Sequence, residues 1–372
     1  MKILTTHVGS LPGPDHFNAT ADHDDSTLRK AVQWVVHRQL EIGLDIINEG
    51  ELTKGGDWLS FMDARLGGFE ERPGPAGGSI LTRGKDREMF ADFYRYAAER
   101  QTLFYARDDR IKAVRRFTTA TGPVTYTGAA ALQRELDVFR TVVRDPSSCF
   151  LTSTAPSSLE PYRGNEFYAS EDEFVFALAE ALRVEYEAIV KAGFLLQIDD
   201  AWMVALWDRI GIAMGLELFT AYCLRRVEAL NHALRNVPME RVRYHFCWGS
   251  WHGPHAFDLP LADLMPVMLA VKAKFYSFEA ANARHAHEYH LWEHVRLPAG
   301  KVIMPGVITH STDLVEHPEL VADRIRQFTE RVGPERVIAS ADCGFGGRTH
   351  PQIAWAKLRA LTEGAALASA SL

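Results

Sequence analysis

Two distant stretches of the sequence share one piece of chemistry. In the strand-like run Arg243-Tyr244-His245-Phe246-Cys247-Trp248-Gly249-Ser250, side chains two apart point to the same face, so His245 and Cys247 can converge on a single point. Cys343, in Ser340-Ala341-Asp342-Cys343-Gly344, supplies a second thiol, and Glu279 a carboxylate. Imidazole, thiolate and carboxylate form a donor set that suits tetrahedral zinc. The plainer alternative is that both cysteines are small buried hydrophobes and the histidine a hydrogen-bonded core residue. Two thiolates and a carboxylate would leave a zinc site one unit negative. Electron-rich sulfur ligands weaken the metal as a Lewis acid, so such a site holds a nucleophilic thiolate better than it makes hydroxide.

These residues need elements to position them. Short β-like runs recur at Ile3–Val8, Leu44–Asn48, Cys149–Thr154, Phe194–Ile198, Val242–Cys247, Phe275–Glu279, Val302–Val307 and Val337–Ala341. Between them lie amphipathic stretches, among them Ser26–Ile42, Glu171–Ala192, Leu216–Leu234 and Pro318–Val332, with apolar residues at spacings of three and four. Strands alternating with helices imply a parallel sheet. Eight such units favour a closed (β/α)8 TIM barrel over an open doubly wound sheet, and no Gly-rich dinucleotide fingerprint follows the first strand. The expected organisation is a single barrel domain over residues 1–372 with an excursion at 67–127. That excursion carries a helix and a β-hairpin, the latter within Ile111–Thr127 and turning at Gly122-Pro123, and it is placed to cover the site. The Ala- and Ser-rich Gly364–Leu372 reads as a fraying helix end.

In such a barrel the chemistry lies at the carboxyl ends of the strands. His245, Cys247, Glu279 and Cys343 all fall there, as do Ser10, Glu49, Glu51, Asp199, Asp200 and His310. Composition narrows the function further. A net charge of -7 with no long basic run gives no electrostatic footprint for nucleic acid or an anionic membrane. No apolar run approaches a membrane span, and the four scattered cysteines do not make a disulfide framework, so a cytoplasmic protein acting on small molecules is expected. A homo-oligomer is compatible with this. His285, His287, His290 and His294 read as a solvated polar face rather than a second metal site. Trp248, Trp251, His252 and His255 would line the barrel mouth. Arg163, Arg284 and Arg348 fall near it and could pair with a carboxylate, a sulfonate or a glutamyl tail.

The chain resembles the C-terminal catalytic half of cobalamin-independent methionine synthase, and more closely the shorter single-barrel proteins of that family. The pieces that carry the resemblance are Thr5-Thr6-His7-Val8-Gly9-Ser10-Leu11-Pro12, Gly43-Leu44-Asp45-Ile46-Ile47-Asn48-Glu49-Gly50-Glu51, Leu196-Gln197-Ile198-Asp199, His245-Phe246-Cys247, Phe278-Glu279 and Ala341-Asp342-Cys343-Gly344, in the family's order. The resemblance implies one zinc held by His245, Cys247, Glu279 and Cys343, no cobalamin, and methyl transfer to a thiol, with homocysteine going to methionine. By the same matching Ser10, Glu51 and Asp199 would hold the amino-acid part of homocysteine, and His310 would be the acid that protonates the departing group. The chemistry agrees: a free thiol is mostly protonated at neutral pH, and metal coordination deprotonates it. A methyl on a tertiary amine needs that nitrogen protonated before it leaves, so an acid near the donor is required.

Departures from the family pattern bear on the donor. The family's longer members have a second, preceding barrel that helps hold a folate, and a Thr-Gly-Pro-Val-Thr segment followed by a tryptophan that stacks on the pterin. Here Leu151–Glu160 stands at that place without a tryptophan, and Thr121-Gly122-Pro123-Val124-Thr125 lies one β segment too early. These departures leave the zinc and thiol expectations in place and count against a folate as the donor. The alternatives are alkylation of another thiol, of the epoxide and coenzyme M type, a metal-free decarboxylase or lyase on the related porphyrinogen-type barrel, and a non-enzymatic binder.

Overall fold

A computed structural model describes the chain except residues 20, 56–57, 75–78, 104–116 and 250 and the side chain of residue 81. In chain order the strands are β1 (Leu4–Thr5), β2 (Leu66–Glu71), β3 (Thr118–Tyr126), β4 (Phe150–Thr154), β5 (Arg163–Asn165), β6 (Leu195–Asp199), β7 (Val242–His245), β8 (Phe275–Phe278), β9 (Val302–Ile308) and β10 (Ile338–Ala341). Seven of them form one parallel sheet in the order β1-β10-β9-β8-β7-β6-β4. Strands β4 and β6 are buried at every position, as expected of a parallel sheet covered on both faces.

The sheet curls. Arg243 on β7 reaches across to β1, where its Nη1 donates to Thr6 Oγ1 (3.0 Å) and its Nη2 to the His7 carbonyl (2.8 Å). Gln197 on β6 donates to the Val8 carbonyl. The expected second strand, Leu44–Asn48, contributes only one parallel bridge, Ile47 to Cys149. Its backbone nevertheless touches both edges of the sheet: Ile46 N donates to the Thr5 carbonyl (3.0 Å) and Phe150 N to the Ile47 carbonyl (2.9 Å).

The helices follow the sequence pattern closely. Asp25–Glu41 is capped by Asp24, whose Oδ1 accepts from Thr27 N at 2.7 Å, and Glu171–Lys191 by Ser170, whose Oγ accepts from Glu173 N at 3.1 Å. Leu216–Ala233, Pro318–Val332 and Pro351–Ala370 complete the long helices. The last of these does not fray at Gly364: that residue is buried against the helix Pro318–Val332, and a Cβ there would lie 2.5 Å from Val321 Cβ.

The excursion differs from its expected form. Residues 111–116 of the anticipated hairpin lie outside the described residues, and Thr118–Tyr126 is one strand, paired antiparallel with β2 and parallel with β5. Gly122-Pro123 is no turn but sits inside β3, where the register with β2 shifts between Gly67 and Phe69. Gly68 faces it with φ +92°, and a side chain there would meet the Pro123 carbonyl oxygen at 2.3 Å. The two short helices Lys85–Met89 and Ala91–Arg100 pack on the loop after β7: Tyr94 Oη accepts from Trp251 Nε1 (3.2 Å) and Asp86 Oδ1 from Ala256 N (2.9 Å).

The Gly364 contact makes a direct prediction. Gly364→Leu is expected to lower unfolding stability by about 1–3 kcal/mol through overpacking, read as a lower urea midpoint, whereas an unchanged midpoint would mean the two helices have room to part.

Candidate metal centre

β7 ends in His245, Cys247 follows two residues on, and the bend after β10 brings Cys343 to them. One donor atom from each of His245, Cys247 and Cys343 lies within 4.8 Å of the others, and all three residues are buried. Ser277 on β8 fixes the ring: His245 Nδ1 and Ser277 Oγ are 3.0 Å apart, while Nε2 is buried with no hydrogen-bond partner among the described residues. An imidazole steadied at Nδ1, with Nε2 unpaired and two thiols close by, fits a metal ligand, and the donor chemistry fits zinc.

The two sulfurs shift one another in opposite directions. The hydrogen bond from Cys247, helped by Arg348 and His245 and opposed by burial, holds Cys343 well below the usual thiol range. The same hydrogen bond, then burial, pushes Cys247 well above it.

Glu279, just past β8, is not part of the group of three. Its Oε1 accepts from Trp248 N (3.1 Å) and its Oε2 from Asn282 Nδ2 (2.6 Å), and burial, with Asp342 beside it, raises its pKa well above the carboxylate range. The loops that carry these residues are pinned together. Asp342 Oδ1 accepts from both Ala280 N and Ala281 N at 2.8 Å, and the Ser10 carbonyl accepts from Phe345 N (2.9 Å) and Gly346 N (3.0 Å).

Beyond Cys343 lies a second, carboxylate-rich region. Glu51 Oε1 accepts from Thr152 Oγ1 (2.9 Å), and Asp199 Oδ1 from Gln197 Nε2 (2.9 Å). Burial raises both carboxyl groups, and Glu51 raises Asp199 further. Gly9 is required here by close approach, since a Cβ would stand 2.3 Å from Glu51 Oε1. Lys54 is the balancing cation: its Nζ lies 2.8 Å from Thr152 Oγ1, 3.0 Å from Glu135 Oε1 and 3.6 Å from Glu49 Oε1. Arg65 joins Glu135 (2.7 Å) to Glu185 (2.9 Å). Such a region, rich in buried carboxyl groups and short of cations, can take up an ammonium group, whose charge would let the carboxyls ionise.

His310 follows β9 and is buried, with Nδ1 lacking a partner among the described residues. Burial pushes its pKa down to about 3, only partly opposed by Cys343, so its imidazole is neutral at working pH. Ring stacking places His285 under Trp248 at 3.8 Å; burial disfavours its charge, but Asp258 (3.1 Å) and Glu288 (2.9 Å) raise its pKa to about 9. His287, His290 and His294 are exposed, with His290 paired to Glu293 (2.9 Å). Arg163 is held by Asp63, and Arg284 donates to the Ala256 carbonyl (2.8 Å). Of the three mouth arginines only Arg348 reaches the sulfurs. Lys54, Thr152, Ser277 and Asp342 were not singled out in the sequence, although each lies within three residues of a residue that was or on a strand next to one.

A curled parallel α/β sheet with a buried imidazole and two thiols at the carboxyl ends of its strands defines an α/β protein with a thiolate-rich centre. Residues 165–366 match the family described as cobalamin-independent synthase, catalytic domain; this is more than half of the chain, and the protein belongs to that family. Methionine synthase of Thermococcus kodakarensis is 28% identical over 212 residues, covering 57% of this chain and 54% of that protein, so the match spans about half the length of this relative. Methionine synthase of Saccharolobus solfataricus is 25% identical over 380 residues, covering 97% and 93%. The 2-hydroxypropyl-CoM lyase of Xanthobacter autotrophicus is 24% identical over 415 residues, covering 100% and 96%. Among solved structures, the B12-independent methionine synthase of Shewanella sp. W3-18-1 in complex with selenomethionine shares the fold with a TM-score of 0.73 at 19% identity, over 100% of this chain and 99% of that one.

The carboxylate region predicts a pH effect. Burial, against the pull of Lys54, raises Glu49 from 4.5 to about 7. Across that window Glu49 binds more of a proton in the folded chain than in the unfolded one, so its contribution to stability falls as pH rises from about 4.5 to about 7. Glu49→Gln is expected to flatten that decline in urea midpoints measured across the window; an unchanged slope would mean that Glu49 is ionised throughout.

Proposed function

We propose that this protein is a zinc-dependent alkyltransferase of a closed (β/α)8 barrel, in which Leu44–Asn48 is the eighth stave between β1 and β4, and that it methylates the thiol of homocysteine to give methionine. The convergence of His245, Cys247 and Cys343 beside the carboxylates Glu51 and Asp199 carries this reading. His245, Cys247 and Cys343 would hold the metal, and Glu279 would join them by giving up its bond to Trp248 N. Zinc, when bound, supplies the positive charge that keeps the acceptor sulfur a thiolate at neutral pH.

The remaining work falls to the chain. Glu51 and Asp199 take the acceptor's ammonium group, which supplies positive charge where buried carboxylates are in excess. Ser10, whose carbonyl is already tied to the Cys343 loop, orients the acceptor's carboxylate with its hydroxyl. His310 would serve the donor side: neutral in the unliganded pocket, its imidazole must first gain a proton as the ligands bind, and its low pKa then makes it a strong acid toward the departing group. The methyl donor is a small molecule that enters by the mouth, where Trp251 stacks on His255 at 4.2 Å. The absence of a tryptophan in Leu151–Glu160 argues for a donor other than a folate. Similarity over the full length to a 2-hydroxypropyl-CoM lyase favours, as a second reading, alkylation of a different thiol at the same centre.

Zinc stoichiometry and the X-ray absorption spectrum of the purified protein, before and after homocysteine, test this. One zinc per chain that gains a sulfur neighbour is the expected result. Zinc without the new sulfur would move the assignment to another thiol, and protein without zinc, never exposed to chelator, would leave a lyase or binder. Cys343→Ser is expected to lose zinc and turnover. His310→Asn is expected to keep zinc and thiol binding while turnover falls by about 10²–10⁴-fold, in the range for a lost general acid.

A further inference from the structure

Arg348 lies five residues beyond Cys343, and the loop between them doubles back. Arg348 N and Thr349 N both donate to the Phe345 carbonyl (3.1 and 3.2 Å), and Phe345 N and Gly346 N are tied to Ser10. The doubled loop returns the guanidinium to the sulfur, with Nη1 donating to Cys343 Sγ at 2.8 Å. The charge of the same guanidinium also acts on Cys247 and Glu51. It therefore touches the sulfur pair at Cys343 and is felt by the carboxylate region.

Charge counting gives this position a purpose. Two thiolates already neutralise a zinc dication, so an arriving substrate thiolate would leave the buried centre one unit negative. Any carboxylate that also binds would deepen that deficit. An arginine keeps its charge at all working pH values, and a donor aimed at a ligand atom steadies that ligand.

We infer that Arg348 is a positioning residue of the metal centre: it holds the Cys343 sulfur in ligating position and supplies the fixed positive charge that lets a substrate thiolate join the two protein thiolates. The inference rests on the zinc reading above and deepens it. Arg348 acts through sulfur rather than by binding a substrate's carboxylate or sulfonate.

The test uses the full chain, wild type with Arg348→Met and Arg348→Lys, loaded with cobalt(II) so that sulfur-to-metal charge-transfer absorption reports thiolate ligation. Metal affinity is measured by chelator competition, and thiol affinity by titration with homocysteine and with 2-mercaptoethanol, which has no carboxylate. Arg348→Met is expected to weaken metal binding by about 10–100-fold, the usual range for a lost outer partner. It is expected to weaken both thiols to the same extent, with Arg348→Lys recovering part of each loss and a normal circular dichroism spectrum for both variants. Loss of homocysteine binding alone, with metal and 2-mercaptoethanol unaffected, would make Arg348 a carboxylate anchor and overturn the inference, as would no change in any measurement. If Arg348→Met does not fold, Arg348→Lys decides alone: its shorter ammonium should cost both thiols equally, and a loss confined to homocysteine overturns the inference. Wild-type protein that takes up neither zinc nor cobalt would instead sink the zinc reading itself.

Discussion

A shortage of buried positive charge governs the middle of this molecule. Around the centre Glu49, Glu51, Glu135, Glu185 and Asp199 are all buried, and the cations set against them are Lys54, Arg65, Arg243 and, at the sulfurs, Arg348. Burying carboxylates without partners is costly, and the chain meets that cost with shared cations rather than simple pairs: Lys54 serves Glu49 and Glu135, and Arg65 serves Glu135 and Glu185. The imbalance that remains is concentrated at Glu51 and Asp199, beside the sulfurs. Ligands that bring positive charge, an ammonium at one end and a metal ion at the other, are therefore favoured by the protein's own electrostatics.

Much of this was legible in the sequence, because local rules decided it. The helix Pro318–Val332 was delimited to the residue, and Asp25–Glu41 and Glu171–Lys191 to within one at either end, since apolar spacing and caps such as Ser170 act over a few residues. The gathering of His245, Cys247 and Cys343 followed from the alternation of strand faces and the placement of chemistry at strand ends. Leu44–Asn48 is less regular than its apolar pattern suggests because side chains take over the ladder's work. Asp45 Oδ2 accepts from Thr5 N (2.9 Å), and Gln39 bonds both the amide and the carbonyl of Asn48 (3.1 and 2.7 Å).

What stayed hidden depends on partners far away in the chain. Arg65 meets Glu135 and Glu185 across 70 and 120 residues, and no local pattern marks either pair. The engagement of Glu279 by Trp248 N and Asn282 depends on how two loops meet, which residue type alone does not reveal. Gly122-Pro123 misled for a related reason. It has the composition of a turn, but the neighbouring strand bends around it at Gly68, which can adopt the φ of +92° that the close approach demands.

The two interior bonds that draw the sheet's sides together have a kinetic meaning. Gln197 reaches Val8 across 189 residues, and Arg243 reaches His7 across 236. Contacts that close such long loops form against the largest entropy cost and are slow to appear. The first strand, only two residues long, must wait for most of its neighbours before it has anything to hold, and the Cys343 loop must wait in turn for Ser10. The centre therefore depends on closure of the whole sheet: a chain whose first strand is undocked lacks the Ser10 anchor of the Cys343 loop.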